Sequence, residues 1–160
     1  METLEEILTA DYDLLERQLR ELLGEERNHL ANAANFAAFV FAEIPDVSWA
    51  GFYRADDSKD LVLGPFAGKP ACSRLPKGRG VCGAAFTQAR TIVVDDVSAF
   101  SDHIACDVAA RSEIVVPLLV DNFPWGVFDV DSATLARFAP DDERGIERLV
   151  RAVQEFVAPW

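Results

Sequence analysis

Thiols, an imidazole and clustered carboxylates are the groups of this chain that can carry chemistry. The segment His103-Ile104-Ala105-Cys106-Asp107 brings all three types together. The reactive form of cysteine is the thiolate, and a free thiol with a pKa near 8.5 is only slightly ionised at neutral pH. If this segment coils into a helical turn, His103, three residues before Cys106, sits beside the sulfur and favours its ionisation. Two further cysteines, Cys72 in GKPACSRLP and Cys82 in GVCGAAF, are candidates to condense with an oxidised sulfur and form a disulfide. Cys72 lies among Gly and Pro, in what should be a mobile loop able to carry its sulfur across a pocket. Cys82 reads equally well as a small packing residue of a helix. The same residues could be grouped otherwise, with Cys72, Cys82, His103 and Cys106 as a Cys3His zinc site. Structural zinc sites usually draw ligands from close CxxC-type pairs, whereas Cys72 and Cys82 are ten apart, so no metal site is expected.

The carboxylates stand on strand-like segments. In WGVFDVDS, Asp129 and Asp131 are two apart and point to one face, which Trp125 and Val127 should share. Glu113 opens SEIVVPL, and pairing of the two segments in a hairpin brings it to the Asp129–Asp131 end. Three converging carboxylates repel one another and raise at least one pKa, leaving a protonated group that can donate and an ionised one that can hold a cation. The plainer alternative is a solvated acidic strand end. Trp49 and Tyr53 in WAGFY are four apart on one strand face, where they serve either as core or as an apolar wall with a hydroxyl to offer.

These residues need a frame. Apolar positions three to four apart predict a helix from Leu4 to Leu23, stopped by Gly24. The Ala-rich stretch from Glu25 to Ile44 predicts a second, ended by Pro45. VSWAGFYRA and LVLGPFAG read as strands around the turn-forming DDSKD. GVCGAAFTQA reads as a short helix and TIVVDDV as a strand. EIVVPLLV and WGVFDVD, separated by Asp121 to Pro124, predict an antiparallel hairpin. Pro140 and the acids after it start a last helix to residue 157, with Ile146, Leu149, Val150, Val153, Phe156 and Val157 as its apolar stripe. The expectation is one α+β domain over residues 1–160. It divides into a helical region over residues 1–45, an antiparallel sheet with the loops that carry chemistry over 46–138, and a helix over 140–157.

Composition narrows the partners. The chain has 160 residues, half of them hydrophobic, enough for one folded domain with a substantial core. Twenty-seven Asp and Glu against 15 Lys and Arg leave a formal charge of -12. That balance argues against a nucleic-acid track or an anionic membrane surface. No run approaches a membrane helix, and the acidic N-terminus is unlike a signal peptide, so the cytoplasm is the expected location. Three cysteines, an odd number, suit a transient, chemical bridge rather than a disulfide framework.

The stretch PKGRGVCGAAFTQARTIVVDDV resembles the GAF domain pattern. With VSWAGFYR, LVLGPFAGKPAC, HIACD, SEIVVPL and GVFDVDS in the same order, the chain from about Tyr12 to Phe138 resembles the free methionine-(R)-sulfoxide reductases, a catalytic branch of that fold. The resemblance implies reduction of free L-methionine (R)-sulfoxide, with Cys106 as nucleophile and Cys72 and Cys82 as the resolving pair, Cys72 favoured. It implies Glu113 as the proton donor with Asp131 close behind. Glu113, Asp129 and Asp131 would bind the substrate ammonium, with Trp49 and Tyr53 against the S-methyl group. Backbone N–H groups of a nearby loop would hold the substrate carboxylate, no metal or organic cofactor is implied, and thioredoxin or another dithiol would return the enzyme to its reduced state. Monomer and homodimer are both left open. The chain departs from the family in VVDDVSAFSDHIACD, where Pro and Pro-Gly are usual. Asp95, Ser101 and Asp102 should make this loop more mobile and more acidic. The rival reading from the fold alone is a sensory GAF module that binds a small effector and catalyses nothing.

Overall fold

The computed structural model describes Met1, Thr3, residues 9–157 and Trp160. Helix α1 (Tyr12–Leu23) begins where the Asp11 carboxylate accepts from the Leu14 N–H at 3.0 Å, and ends at Gly24, whose φ of 51° suits glycine. The expected earlier start falls partly on residues 4–8, outside the described residues; Thr9 to Asp11 are not helical. Helix α2 (His29–Glu43) likewise starts later than its Ala-rich run suggests. Asn28 caps it by accepting from Ala31 N–H at 2.9 Å, while Glu26 accepts from the Arg27 and Asn28 N–H groups and holds the preceding residues in a turn.

Then follow β1 (Trp49–Ala55), β2 (Leu61–Ala67), the short β3 (Arg74–Leu75), helix α3 (Gly80–Gln88), β4 (Ile92–Val94), a 3-10 turn at Val97–Ala99, β5 (Ser112–Val120), β6 (Phe123–Ser132) and helix α4 (Pro140–Val153). The expected last helix is thus shorter, and Gln154 to Val157 leave it as a turn. The six strands form one antiparallel sheet in the order β3-β2-β1-β6-β5-β4.

Alternation along the central strands divides the sheet's neighbours. Phe52, Ile114, Val116, Phe128 and Val130 point to one face, where α1, α2 and α4 cover them with Leu19, Phe36, Val40, Ile146 and Leu149. Trp49, Tyr53, Val115 and Val127 point to the other face and pack against Val81, Cys82 and Ala85 of α3. Burying apolar surface on both faces makes the sheet rigid, so functional groups at its ends are held by core packing rather than by loops.

Two details of the β5–β6 hairpin differ from expectation. The turn is two residues, Asp121 and Asn122, both at positive φ (51° and 68°), and Pro124 already belongs to β6. Leu118 pairs with Gly126 but Leu119 with Pro124, so Trp125 is an extra, bulged residue. The bulge turns Trp125 away from the face of Val127 and toward the helices, where its ring meets Trp160 edge-on at 5.4 Å. On the helical side a buried ion pair joins distant segments. Arg137 donates to Asp142 at 3.0 Å and to the Pro45 carbonyl at 2.9 Å, and Tyr12 donates to the other Asp142 oxygen at 2.7 Å. Among the described residues, no helix is long and apolar enough to cross a membrane.

Candidate active site

The second face of the sheet is open at one end, where β1, β5 and β6 finish beneath α3 and the loop of residues 100–111. A cavity there has about 550 Å3 of empty space, counting its open mouth. Three strands deliver its carboxylates. Asp131 of β6 pairs with both Glu113 of β5 and Trp49 of β1, and Asp129 pairs with Val115 and Gly51. The hairpin therefore puts Glu113 at the Asp129–Asp131 end, and all three acids are more than nine-tenths buried. They line one cavity together with Trp49, Tyr53 and Cys106.

Burial dominates the electrostatics. It pushes the Glu113 carboxyl up to about 7, a hydrogen bond from Asp129 opposing the shift. Asp129 and Asp131 are raised well above the carboxylate range, first by burial and then by their acidic neighbours. Near neutrality the trio therefore holds fewer than three charges. A cation entering the cavity would lower these pKa values again, so the site exchanges protons for a positively charged ligand. One oxygen of Asp129, Oδ1, is buried without a hydrogen-bond partner and so is ready to accept from a ligand.

The thiols lie at the same place. A disulfide joins Cys72 and Cys106 across 34 residues, with their Cα atoms 5.4 Å apart. Cys82 is free, buried in the first turn of α3, and 4.0 Å from a Glu113 oxygen. Burial, reinforced by the three carboxylates, pushes its thiol well up and keeps it protonated. Two close approaches fix α3 here. A side-chain carbon on Gly83 would sit 2.5 Å from the Gly78 backbone, and Gly80, at φ 72°, leans on Ile104.

The aromatic pair also holds the loop that carries Cys72. Tyr53 donates from its hydroxyl to the Cys72 carbonyl at 2.9 Å, and Trp49 donates from its indole N–H to the Lys69 carbonyl at 3.0 Å. Their rings lie 6.0 Å apart and roughly parallel, as the wall of the cavity.

The HIACD segment corrects one expectation. Residues 103–107 do not coil into a helical turn. His103 lines the same cavity as Cys106, but its Nε2 stands 3.7 Å from Glu113, and burial lowers its pKa. The imidazole thus has the Glu113 carboxyl beside it. Nor is the loop loosened by Asp102, which accepts from Arg79 at 2.7 Å and from the Gly80 N–H at 3.1 Å, tying it to the start of α3. Asp95 is held through its carbonyl, which accepts from Ala136 at 2.8 Å, while Ser101 is exposed. Arg79 was missed from the sequence although it lines the cavity. The only signal was a cation inside the Gly-rich GRG, at the entry of a helix beside the site.

The GAF domain family model matches residues 3–157. The free methionine-R-sulfoxide reductase of Escherichia coli is 45% identical over 150 residues, covering 94% of this chain and 90% of that protein. The crystal structure of the Neisseria meningitidis free methionine-R-sulfoxide reductase, in complex with its substrate, superposes with a TM-score of 0.87 at 43% identity. That match covers 91% of this chain and 87% of the other. The fRMsr of Staphylococcus aureus, also in complex with substrate, gives a TM-score of 0.87 at 38% identity, covering 94% of this chain and 97% of the other.

Proposed function

The chain belongs to the GAF-domain family, in its free methionine-R-sulfoxide reductase branch, and from that premise we propose how its own residues perform the reduction. One observation carries the reading: a buried carboxylate trio faces the same cavity as Cys106, which is joined to Cys72 in a disulfide. A sensory module has no use for such a pair.

Free L-methionine (R)-sulfoxide enters with its ammonium toward Asp129 and Asp131 and its S-methyl group against Trp49 and Tyr53. The Cys106 thiolate attacks the sulfoxide sulfur while Glu113, with Asp131 behind it, protonates the oxygen. Oxygen passes to Cys106, methionine leaves, and Cys106 is a sulfenic acid. The Cys72 thiol then attacks that sulfur, water departs, and the disulfide forms. An external dithiol such as thioredoxin supplies the two electrons that reopen it. Cys82 is the alternative resolving thiol, and its burial beside the acids argues for Cys72 in the direct step. Neither metal nor organic cofactor enters this scheme.

Specificity follows from the ammonium. A free amine offers the charge that the acids recognise, whereas an N-acetylated or peptide-bound methionine sulfoxide does not. With dithiothreitol as reductant and methionine release as readout, free (R)-sulfoxide should turn over. N-acetyl-methionine sulfoxide should be slower by about a hundredfold or more, and so should the free (S)-form, in which the same ammonium and S-methyl contacts point the oxygen away from Glu113. Asp129→Asn should raise KM by about tenfold to a hundredfold, the worth of one charged hydrogen bond. Comparable turnover of the N-acetylated compound would refute ammonium recognition.

A further inference from the structure

The proposed reduction leaves one buried nucleophilic group without a direct role. Cys82 takes no part in the disulfide, yet its sulfur, a Glu113 oxygen and an Asp129 oxygen all lie within 4.8 Å of one another. A tetrahedral divalent ion with bonds of about 2.0–2.3 Å holds its ligands roughly 3.3–3.8 Å apart, so rotation of these side chains by less than about 1 Å would close the set. Independently of that clustering, Asp129 Oδ1 is fully buried with no hydrogen-bond partner, in a residue only 6% exposed that lines the cavity. His103 Nε2 stands 3.7 Å from the other Glu113 oxygen and offers a fourth donor at the mouth. We propose that the cavity binds a divalent ion of borderline or soft character, such as Zn2+ or Cd2+, through Cys82, Glu113 and Asp129, and that this ion excludes the substrate.

The donor set selects the class of ion. Magnesium and calcium take oxygen ligands and leave a thiol unused, whereas a sulfur, an imidazole and two carboxylates match zinc and cadmium. An ammonium takes nothing from Cys82, so the thiol is what separates a metal from the substrate at this place. This set also differs from a Cys72, Cys82, His103 and Cys106 site, which needs the disulfide open. The set at Cys82 is complete while Cys72 and Cys106 are bonded. Exclusion of substrate rests on the reductase reading, because the ion occupies the acids assigned to the ammonium; the binding itself does not.

The test uses the full chain, oxidised to its Cys72–Cys106 disulfide and stripped of metal with a chelator, and titrated with Cd2+. The expected result is a one-to-one sulfur-to-cadmium charge-transfer absorbance. It should vanish in Cys82→Ser, which is isosteric, and its midpoint should weaken by about tenfold or more in Asp129→Asn. Zn2+ should displace the cadmium and remove the band. No band in the oxidised protein, a band that survives Cys82→Ser, or one that appears only after the disulfide is reduced would overturn the site. Because this readout needs no turnover, a protein that binds cadmium as described but reduces no sulfoxide would sink the reductase reading alone. A protein that reduces sulfoxide but shows no band would sink the metal site alone.

Discussion

Cys106→Ser should release no methionine from a stoichiometric pulse of free (R)-sulfoxide, a loss of about three orders of magnitude or more in the first turnover. Cys72→Ser should behave differently, because attack, proton transfer and methionine release need only Cys106 and the acid. It should give about one methionine per enzyme and then stall as a sulfenic acid when thioredoxin is the reductant. Dithiothreitol, small enough to enter the cavity, should partly restore cycling. Cys82→Ser should be milder in this assay. Rapid quench with methionine quantified against enzyme, and a sulfenic-acid trap on the stalled species, separate these outcomes. If Cys82→Ser stalls after one turnover while Cys72→Ser cycles with thioredoxin, the resolving role belongs to Cys82. If Cys106→Ser still yields a full equivalent, the assignment of the nucleophile fails.

Glu113→Gln should lower the rate of the chemical step by about a hundredfold to ten-thousandfold and, at alkaline pH, make the protein more stable. Both effects have one cause. Burial raises this carboxyl from its ordinary 4.5 to about 7, so it still carries a proton to donate near neutrality. The value of kcat/KM for sulfoxide reduction, which reports the unliganded enzyme, should accordingly fall as pH rises through about 7. Stability follows the same sign. A carboxyl whose pKa is raised by folding contributes fully below the unfolded value, and that contribution is lost as pH climbs through the folded value. A shift of this size corresponds to about 3 kcal/mol above about pH 7. Denaturant titration at about pH 8 should therefore show Glu113→Gln more stable than the native chain by up to that amount, with the difference shrinking toward about pH 5. Equal stability at both pH values together with an unchanged rate would return Glu113 to an ordinary solvated acid.

Much of this site could be read from local pattern because strand geometry leaves little choice. Residues two apart on a strand share a face, and a hairpin with a short turn fixes which residues face across it. The convergence of Glu113 with Asp129 and Asp131 thus followed from Asp121 to Pro124 being a turn, even though the turn itself is shorter. Trp125 is where that logic broke. A bulge inserts one residue and reverses the facing of everything before it, and nothing in FPWGV announces one. The His103 to Asp107 segment failed for a different reason. A spacing of three means proximity only on a helix, and the acid that His103 meets lies on β5, beyond an irregular loop that carries no periodicity. Arg79 and Asp102 illustrate the same limit, since a contact across 23 residues leaves no periodicity to find. The helix starts moved because caps decide them: Asp11 and Asn28 satisfy N–H groups that apolar spacing ignores.

Trp49 donates its indole N–H to the loop that bears Cys72, while Trp125 and Trp160 meet edge to face on the opposite side of the sheet. The chain therefore carries an intrinsic optical gauge of its own redox cycle. Any movement of the Lys69–Cys72 segment as the disulfide opens changes the surroundings of one indole and leaves the other two as a constant background. A shift in tryptophan emission on adding a reductant, absent in Trp49→Phe, would let each half of the cycle be followed in real time without label or coupled enzyme.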